Sequence, residues 1–407
     1  MTPPARFPWR LVAALAGLNV LSFVDRQLLA AVAPVLIDEL GLSRAQIGLL
    51  IGVAFILVYS LGTLGAGALA DRVSRPRLMA GGLAAWSAAT ALTGTASGFA
   101  SLAVWRSLVG IGEATLPAPA LAMIGDRVPP QRLGLASGIF YAGIPVGSAV
   151  SFALAGAVVP AFGWRACFLA LGVAGLGAVA LVWRTPDPPR RGVASPVERG
   201  PVATARDVGR ALVARPALSV VILAATLLVY ASASSQHVIT WLVEERGFPF
   251  RTAAFISAAI VLGAGLAGNL GIGALTDRAS RHHPGARLVA LAALGALGLA
   301  ASLVFYRADP GSGPFFCAWA LAQAWLLGWF GPVVATMGEM APAGLRASVI
   351  GLGLLVVNVV GVAGGAYVTG LIGDRAGLSA GLLWSLVPAA VGVLLVGLVG
   401  VVQMRRT

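Results

Sequence analysis

The sequence contains no lysine, and only 11% of its residues carry a charge, where soluble domains carry about 25%. That shortage excludes an ordinary water-facing exterior. All 28 basic residues are arginine, and the net charge is +13. A surplus of this size can signal nucleic-acid binding, but nearly all the arginines lie between apolar segments, where membrane topology uses them. Cysteine is nearly absent. Cys167 and Cys317 both fall inside apolar runs with no neighbouring Cys or His, which excludes a disulfide framework and a metal-ligand cluster. No Ser/His/Asp arrangement or nucleotide loop is present, so no enzymatic activity and no cofactor are expected.

What the chain has is apolar length. Hydrophobic residues make up 58%, with a mean hydropathy of +0.90. A helix needs roughly 20 apolar residues to cross a bilayer, and about twelve such spans can be counted. They run 9–35, 45–70, 78–97, 101–125, 132–160, 164–184, 216–243, 251–275, 286–306, 314–340, 346–372 and 379–402. The first carries Asp25 and Arg26 and lacks a small-residue cleavage site, so it reads as a retained helix rather than a signal peptide. The expected fold is an all-α membrane protein with about twelve transmembrane helices.

Arginine placement sets the expected orientation. With the N-terminus in the cytoplasm, 20 arginines face inward and six face outward (Arg44, Arg165, Arg246, Arg251, Arg307 and Arg375), while Arg26 and Arg106 lie within spans. Arginine in short loops favours the cytoplasmic side. Both termini are therefore expected to be cytoplasmic, in a bacterial-type inner membrane.

The chain divides at 185–215, a segment rich in proline and arginine and expected to be irregular, with room for a short surface helix. This leaves a bundle of six spans at 1–184 and another at 216–407. The halves repeat: Gly67-Ala-Leu-Ala-Asp71-Arg72-Val-Ser-Arg75 recurs as Gly273-Ala-Leu-Thr-Asp277-Arg278-Ala-Ser-Arg281, 206 residues later. Duplicated halves with a site near the midplane are the basis of rocking-type alternating access.

One stretch departs from plain hydrophobicity. Leu102 to Asp126 is long enough to span, yet it holds Arg106 and Glu113. Seven residues separate them, about two helical turns, which puts both on one face roughly 10 Å apart. A charge at mid-membrane costs about 2.5–3.5 kcal/mol even on the lenient insertion scale. The stripe must face a partner or a wet cavity. Asp25 and Arg26 in the first span supply partners, with Asp25–Arg106 and Arg26–Glu113 both within reach. A buried carboxylate that moves between such environments can take up and release a proton. Asp25 and Glu113 are the candidate proton-coupling sites, and Arg26 and Arg106 the candidate substrate or head-group binders. Tyr59, Tyr141, His237, Trp241 and Asn358 are further candidate substrate contacts. For His237 and Trp241 interfacial anchoring is the alternative, and for Tyr59 and Tyr141 simple packing.

Gly67 to Arg77 and Gly273 to Arg281 resemble the signature loop of the major facilitator superfamily. The stretch Arg106-Ser-Leu-Val-Gly-Ile-Gly-Glu113-Ala resembles its fourth-helix pattern, and Gly138, Gly143, Pro145 and Gly147 its fifth-helix glycine-proline motif. The resemblance implies two pseudo-symmetric six-helix bundles, and gate roles for Asp71, Arg72, Arg75, Asp277, Arg278 and Arg281. Asp25-Arg26, the stretch 106–114 and the stretch 137–147 narrow it to the spinster-like branch, whose members are linked to lysophospholipids and sphingosine-1-phosphate. That branch often has Asn three residues before the Asp, where this chain has Ser22, with Asn19 further back.

The resulting expectation is a proton-coupled secondary transporter for an amphipathic lysolipid- or sphingolipid-like substrate, acting as a monomer with protons and the bilayer as partners. A carrier of a small organic anion of the sugar-acid type is the alternative. A non-transporting receptor or scaffold is the third.

Overall fold

The computed structural model describes residues 7–70, 72–189, 201–281, 283–342 and 345–405. Asp71, His282 and Arg190, Arg191 and Arg199 of the linker lie outside them. Among the described residues the regular structure is entirely helical. Ten helical stretches are long and apolar enough to cross a membrane. One of these, Leu133–Trp183, is two spans: the chain turns at Gly163, whose φ of 74° suits glycine, three residues after Pro160. The third span, Arg75–Thr93, begins on Arg75-Pro76-Arg77 and is rich in alanine, with one serine and two threonines. It is therefore a membrane-length helix of lower hydropathy. Together these make twelve spans.

Several spans bend where the sequence requires it. The first runs Trp9–Ala31 and restarts as Ala33–Leu40, with Pro34 in the opening turn. The second is helical over Arg44–Ile51 and Val58–Ala70, joined by a π turn at Gly52–Leu57. The fourth breaks between Phe99–Glu113 and Pro117–Arg127, where Pro117 and Pro119 cannot continue the ladder. The eleventh has a π turn at Val357–Val362. The linker contains a helix at Pro201–Ala214.

The chain forms two compact units. The first takes Met1–Leu42, Val53–Ala194 and Phe248–Ala258; the second takes Ser43–Gly52, Ser195–Gly247 and Ala259–Thr407. Within the first unit, close helix approach depends on glycine. A Cβ on Gly147 would lie 2.5 Å from the Val20 carbonyl oxygen, so the fifth span meets the first backbone to backbone. A Cβ on Gly110 would lie 2.9 Å from the Phe55 oxygen, which seats the fourth span on the π turn of the second. Small residues at such contacts let backbones approach where lipid gives no hydrophobic driving force.

In the second unit the core gathers Leu218, Val221, Leu228, Trp325, Trp329 and Val333. Trp329 donates its indole N–H to Ser232 Oγ at 3.3 Å. The opening turn of the second span belongs to this unit. Asp374, at the end of the eleventh span, accepts from the Arg44 and Ala45 amides at 2.8 and 2.9 Å, and Arg44 Nε donates to Glu244 at 2.9 Å.

Candidate functional site

The site lies wholly in the first unit and is built by the first, second, third and fourth spans. Asp25 and Arg26 are neighbours on one helix and so point about 100° apart around it. Each meets a different turn of the fourth span. Arg106 Nη1 reaches Asp25 Oδ1 at 3.2 Å, and Arg26 Nη2 reaches Glu113 Oε2 at 2.8 Å. Asp25, Arg106 and Glu113 are each only 1% exposed. Burial at this depth is tolerable only for paired and hydrogen-bonded charges.

The two pairs differ in how completely they are satisfied. Asp25 uses both carboxylate oxygens, Oδ1 toward Arg106 and Oδ2 as acceptor from Thr90 Oγ1 on the third span. Glu113 uses one. Its Oε2 accepts from both Arg26 and Ser22, the latter at 2.9 Å, while Oε1 is buried with no hydrogen-bond partner. Ser22 therefore serves Glu113 and not Asp25. Asn19, one turn back, donates to the Phe140 carbonyl at 2.7 Å and fixes the first span against the fifth.

The two arginines also differ in access. The Arg106 side chain is 1% exposed and that of Arg26 is 20% exposed. Aromatic rings surround Arg26: its guanidinium carbon lies 4.7 Å from the Phe23 ring centre, 4.8 Å from Phe55 and 4.5 Å from Tyr59. Phe55 also lies 4.8 Å from the Arg106 guanidinium, so one ring serves both cations, and it stacks on Tyr59. Cation–π contacts of this kind contribute about 0.5–2 kcal/mol each, more when dry. Tyr141 is half exposed beside this group. Phe23 and Thr90 are contacts the sequence pattern did not single out; Phe55, like Tyr59 and Tyr141, reads from sequence as lining a pore or packing.

The remaining candidates sit in the second unit. His237 is fully buried, with Nε2 against the Ala366 carbonyl at 2.8 Å. Trp241 is fully buried, donates to Ser379 Oγ at 2.7 Å and packs among Phe305, Tyr306 and Phe315. Asn358 is half-buried in the π turn of the eleventh span.

The loop residues form a charge knot in each half. Arg75 is buried and donates to Asp126 at 2.6 Å, to Asp187 at 2.8 Å and to the Pro188 carbonyl at 2.6 Å. Its repeat counterpart Arg281 is exposed, as are Arg72 and Arg278. In the second half Arg287 does the bridging instead, to Glu339 at 2.6 Å and Asp277 at 3.5 Å.

The sequence model of the Major Facilitator Superfamily matches residues 15–366. A hexuronate transporter of Bacillus subtilis (strain 168) is 31% identical over 178 residues, covering 44% of this chain and 41% of that protein. Protein spinster of Drosophila melanogaster is 31% identical over 186 residues, 46% of this chain and 31% of that protein. The matches thus span less than half the length of these curated relatives. Among solved structures, a bacterial homologue of the human lysosomal transporter spinster, inward-facing and unoccupied, superposes with a TM-score of 0.84 at 22% identity, covering 98% of each chain. That likeness establishes the fold.

Proposed function

The chain belongs to the Major Facilitator Superfamily and is a multi-pass membrane transporter rather than an enzyme; from that premise we propose that it couples protons to the movement of an amphipathic organic anion. The observation that carries this reading is the one-sided bonding of Glu113. Oε1 is buried and unpartnered while Oε2 holds Arg26. A proton arriving at Oε1 neutralises the carboxylate without first breaking a bond. Its Coulombic hold on Arg26 then falls, and the partly exposed guanidinium becomes the natural partner for an incoming anion. When the proton leaves, Glu113 reclaims Arg26 and the anion is released. Alternating access of the superfamily kind turns this exchange into transport. Arg106 and Asp25 form the second pair behind it, with Asp25 as a second proton site.

The walls around Arg26 favour an amphipathic substrate. Phe23, Phe55 and Tyr59 offer ring faces and one hydroxyl. A polyhydroxylated sugar acid needs several hydrogen-bonding side chains to repay its lost hydration. A lysophospholipid-like anion needs one cation and an apolar wall. The likeness to a hexuronate transporter supports the sugar-acid alternative. In this reading His237 and Trp241 serve packing, both knots act as gate elements, both termini are cytoplasmic and the monomer is the working unit.

Binding to the purified protein tests the anion site. Labelled lysophosphatidylglycerol should bind wild type and lose about 10- to 100-fold in affinity in Arg26→Gln, the loss of one charge-assisted hydrogen bond. Labelled glucuronate should not bind. Saturable glucuronate binding that Arg26→Gln abolishes, with none for the lysolipid, would replace the substrate class.

A further inference from the structure

We infer that Thr90 is the positioning residue through which Asp25 changes its protonation state, donating to the ionised carboxylate and accepting from the protonated one. The inference rests on the reading of Asp25 as a proton site.

The geometry is specific. Thr90 Oγ1 is bonded to Asp25 Oδ2 and also lies 2.9 Å from the Trp86 carbonyl oxygen one turn back on its own helix. A hydroxyl has one hydrogen and two lone pairs, so it cannot donate to both oxygens at once. With Asp25 ionised, Thr90 gives its hydrogen to Oδ2. The Trp86 carbonyl is not orphaned by this, because the i→i−4 ladder of the third span supplies it a backbone N–H. With Asp25 protonated on Oδ2, the carboxyl O–H needs an acceptor. Arg106, on Oδ1, has none to offer, since a guanidinium only donates. Thr90 Oγ1 is the acceptor in place, and its own hydrogen then turns to Trp86. One bond rotation thus satisfies both charge states.

Such a rotor matters because water has little access here. Thr90 and Asp25 are each 1% exposed, and an unsatisfied polar group at that depth is costly. The charged groups facing Asp25 are Arg106 and Glu113 on the fourth span, while Arg26, next on its own helix, is turned to Glu113. The fifth and sixth spans packed against it carry one charged side chain, Arg165, which is held by Glu39. The third span carries Arg75 and Arg77 at its opposite end, the former bound to Asp126 and the latter over Trp183. At the far end of the fourth span, Asp126 is engaged by Arg75. Among the described residues, Thr90 is the one hydroxyl bonded to the Asp25 carboxylate.

The test needs no transported substrate. The purified full chain in lipid bilayers is titrated from acid to alkaline pH while the carbonyl stretch of protonated carboxyl groups is followed by infrared difference spectroscopy. The band lost in Asp25→Asn reports Asp25. Replacing Thr90 by Val keeps the shape and removes the hydroxyl. The ionised state then loses a charge-assisted bond and the protonated state a weaker neutral one. The Asp25 midpoint should move to higher pH by about half to one unit, a roughly three- to tenfold change in proton affinity, and the carbonyl band should shift as its O–H loses an acceptor. Thr90→Ser should restore both. Thr90→Ala provides the same loss if the valine variant folds poorly. A band lost in Asp25→Asn that titrates identically with and without the Thr90 hydroxyl overturns the role of Thr90 alone. Absence of any band lost in Asp25→Asn overturns Asp25 as a proton site, and this inference with it.

Discussion

Arg26 and Glu113 are joined through a single carboxylate oxygen, Nη2 to Oε2 at 2.8 Å, with the second oxygen left buried and unpaired. The neighbouring Asp25–Arg106 pair shares the same two helices but is saturated on the carboxylate side. One carboxylate therefore keeps an open acceptor oxygen, and the other has none.

That difference sets the stability of the two arginine variants apart. Arg106→Gln leaves Asp25 buried without its counter-ion, which costs about 3–5 kcal/mol. Arg26→Gln costs less, because Arg26 is partly exposed and Glu113 keeps Ser22 as a donor. Thermal unfolding of the two proteins in the same detergent should rank them in that order. Equal losses would contradict the division of roles.

Much of this was legible before the structure. Apolar run lengths delimit the spans because a bilayer fixes helix length; the repeat points to two halves, whereas the compact units exchange Ser43–Gly52 and Phe248–Ala258 across that division. The third span gave the weakest signal, because its opening Arg75-Pro76-Arg77 lowers its hydropathy without breaking the helix. Charged residues inside spans advertise themselves, so the four ionic groups stood out. Their supporting shell did not. Thr90 looks like any helical threonine, and Phe23 like any packing aromatic, until the helices are brought together. The sequence repeat also points to Arg281 as the partner of Arg75, whereas Arg287 makes the equivalent bridge. Side-chain reach in three dimensions decided that, not position in the motif.

Asp374 accepts from two amides at the start of Arg44–Ile51. Asp374→Ala should lower stability by about 1–2 kcal/mol, the scale of a lost helix cap, with Asp374→Asn recovering part of it. No change in unfolding temperature for either variant would contradict the capping role.

Glu39 lies beyond the first apolar run and accepts from the Arg165 guanidinium and from the Trp164 indole at 2.7 Å. The Arg165 hydrogen bond, aided by that of Trp164, holds its carboxyl below the usual range. A depressed folded value means the contribution is full above the ordinary glutamate value, near about 4.3, and is lost as pH falls through the folded value. The pair is 44% exposed on both sides, so the effect is small, under about 1 kcal/mol. Glu39→Gln should lower the unfolding temperature at neutral pH and converge with wild type in acid. A gap that widens in acid would contradict the assignment.

The most direct measurement is flux into proteoliposomes under an imposed pH gradient, with labelled lysophosphatidylglycerol and labelled glucuronate offered in parallel to wild type and Glu113→Gln. The predicted result is gradient-driven accumulation of the lysolipid by wild type. Glu113→Gln should lose that accumulation yet still exchange external for internal lysolipid without a gradient. Accumulation by Glu113→Gln equal to wild type would contradict the account, because the proton would then be carried elsewhere.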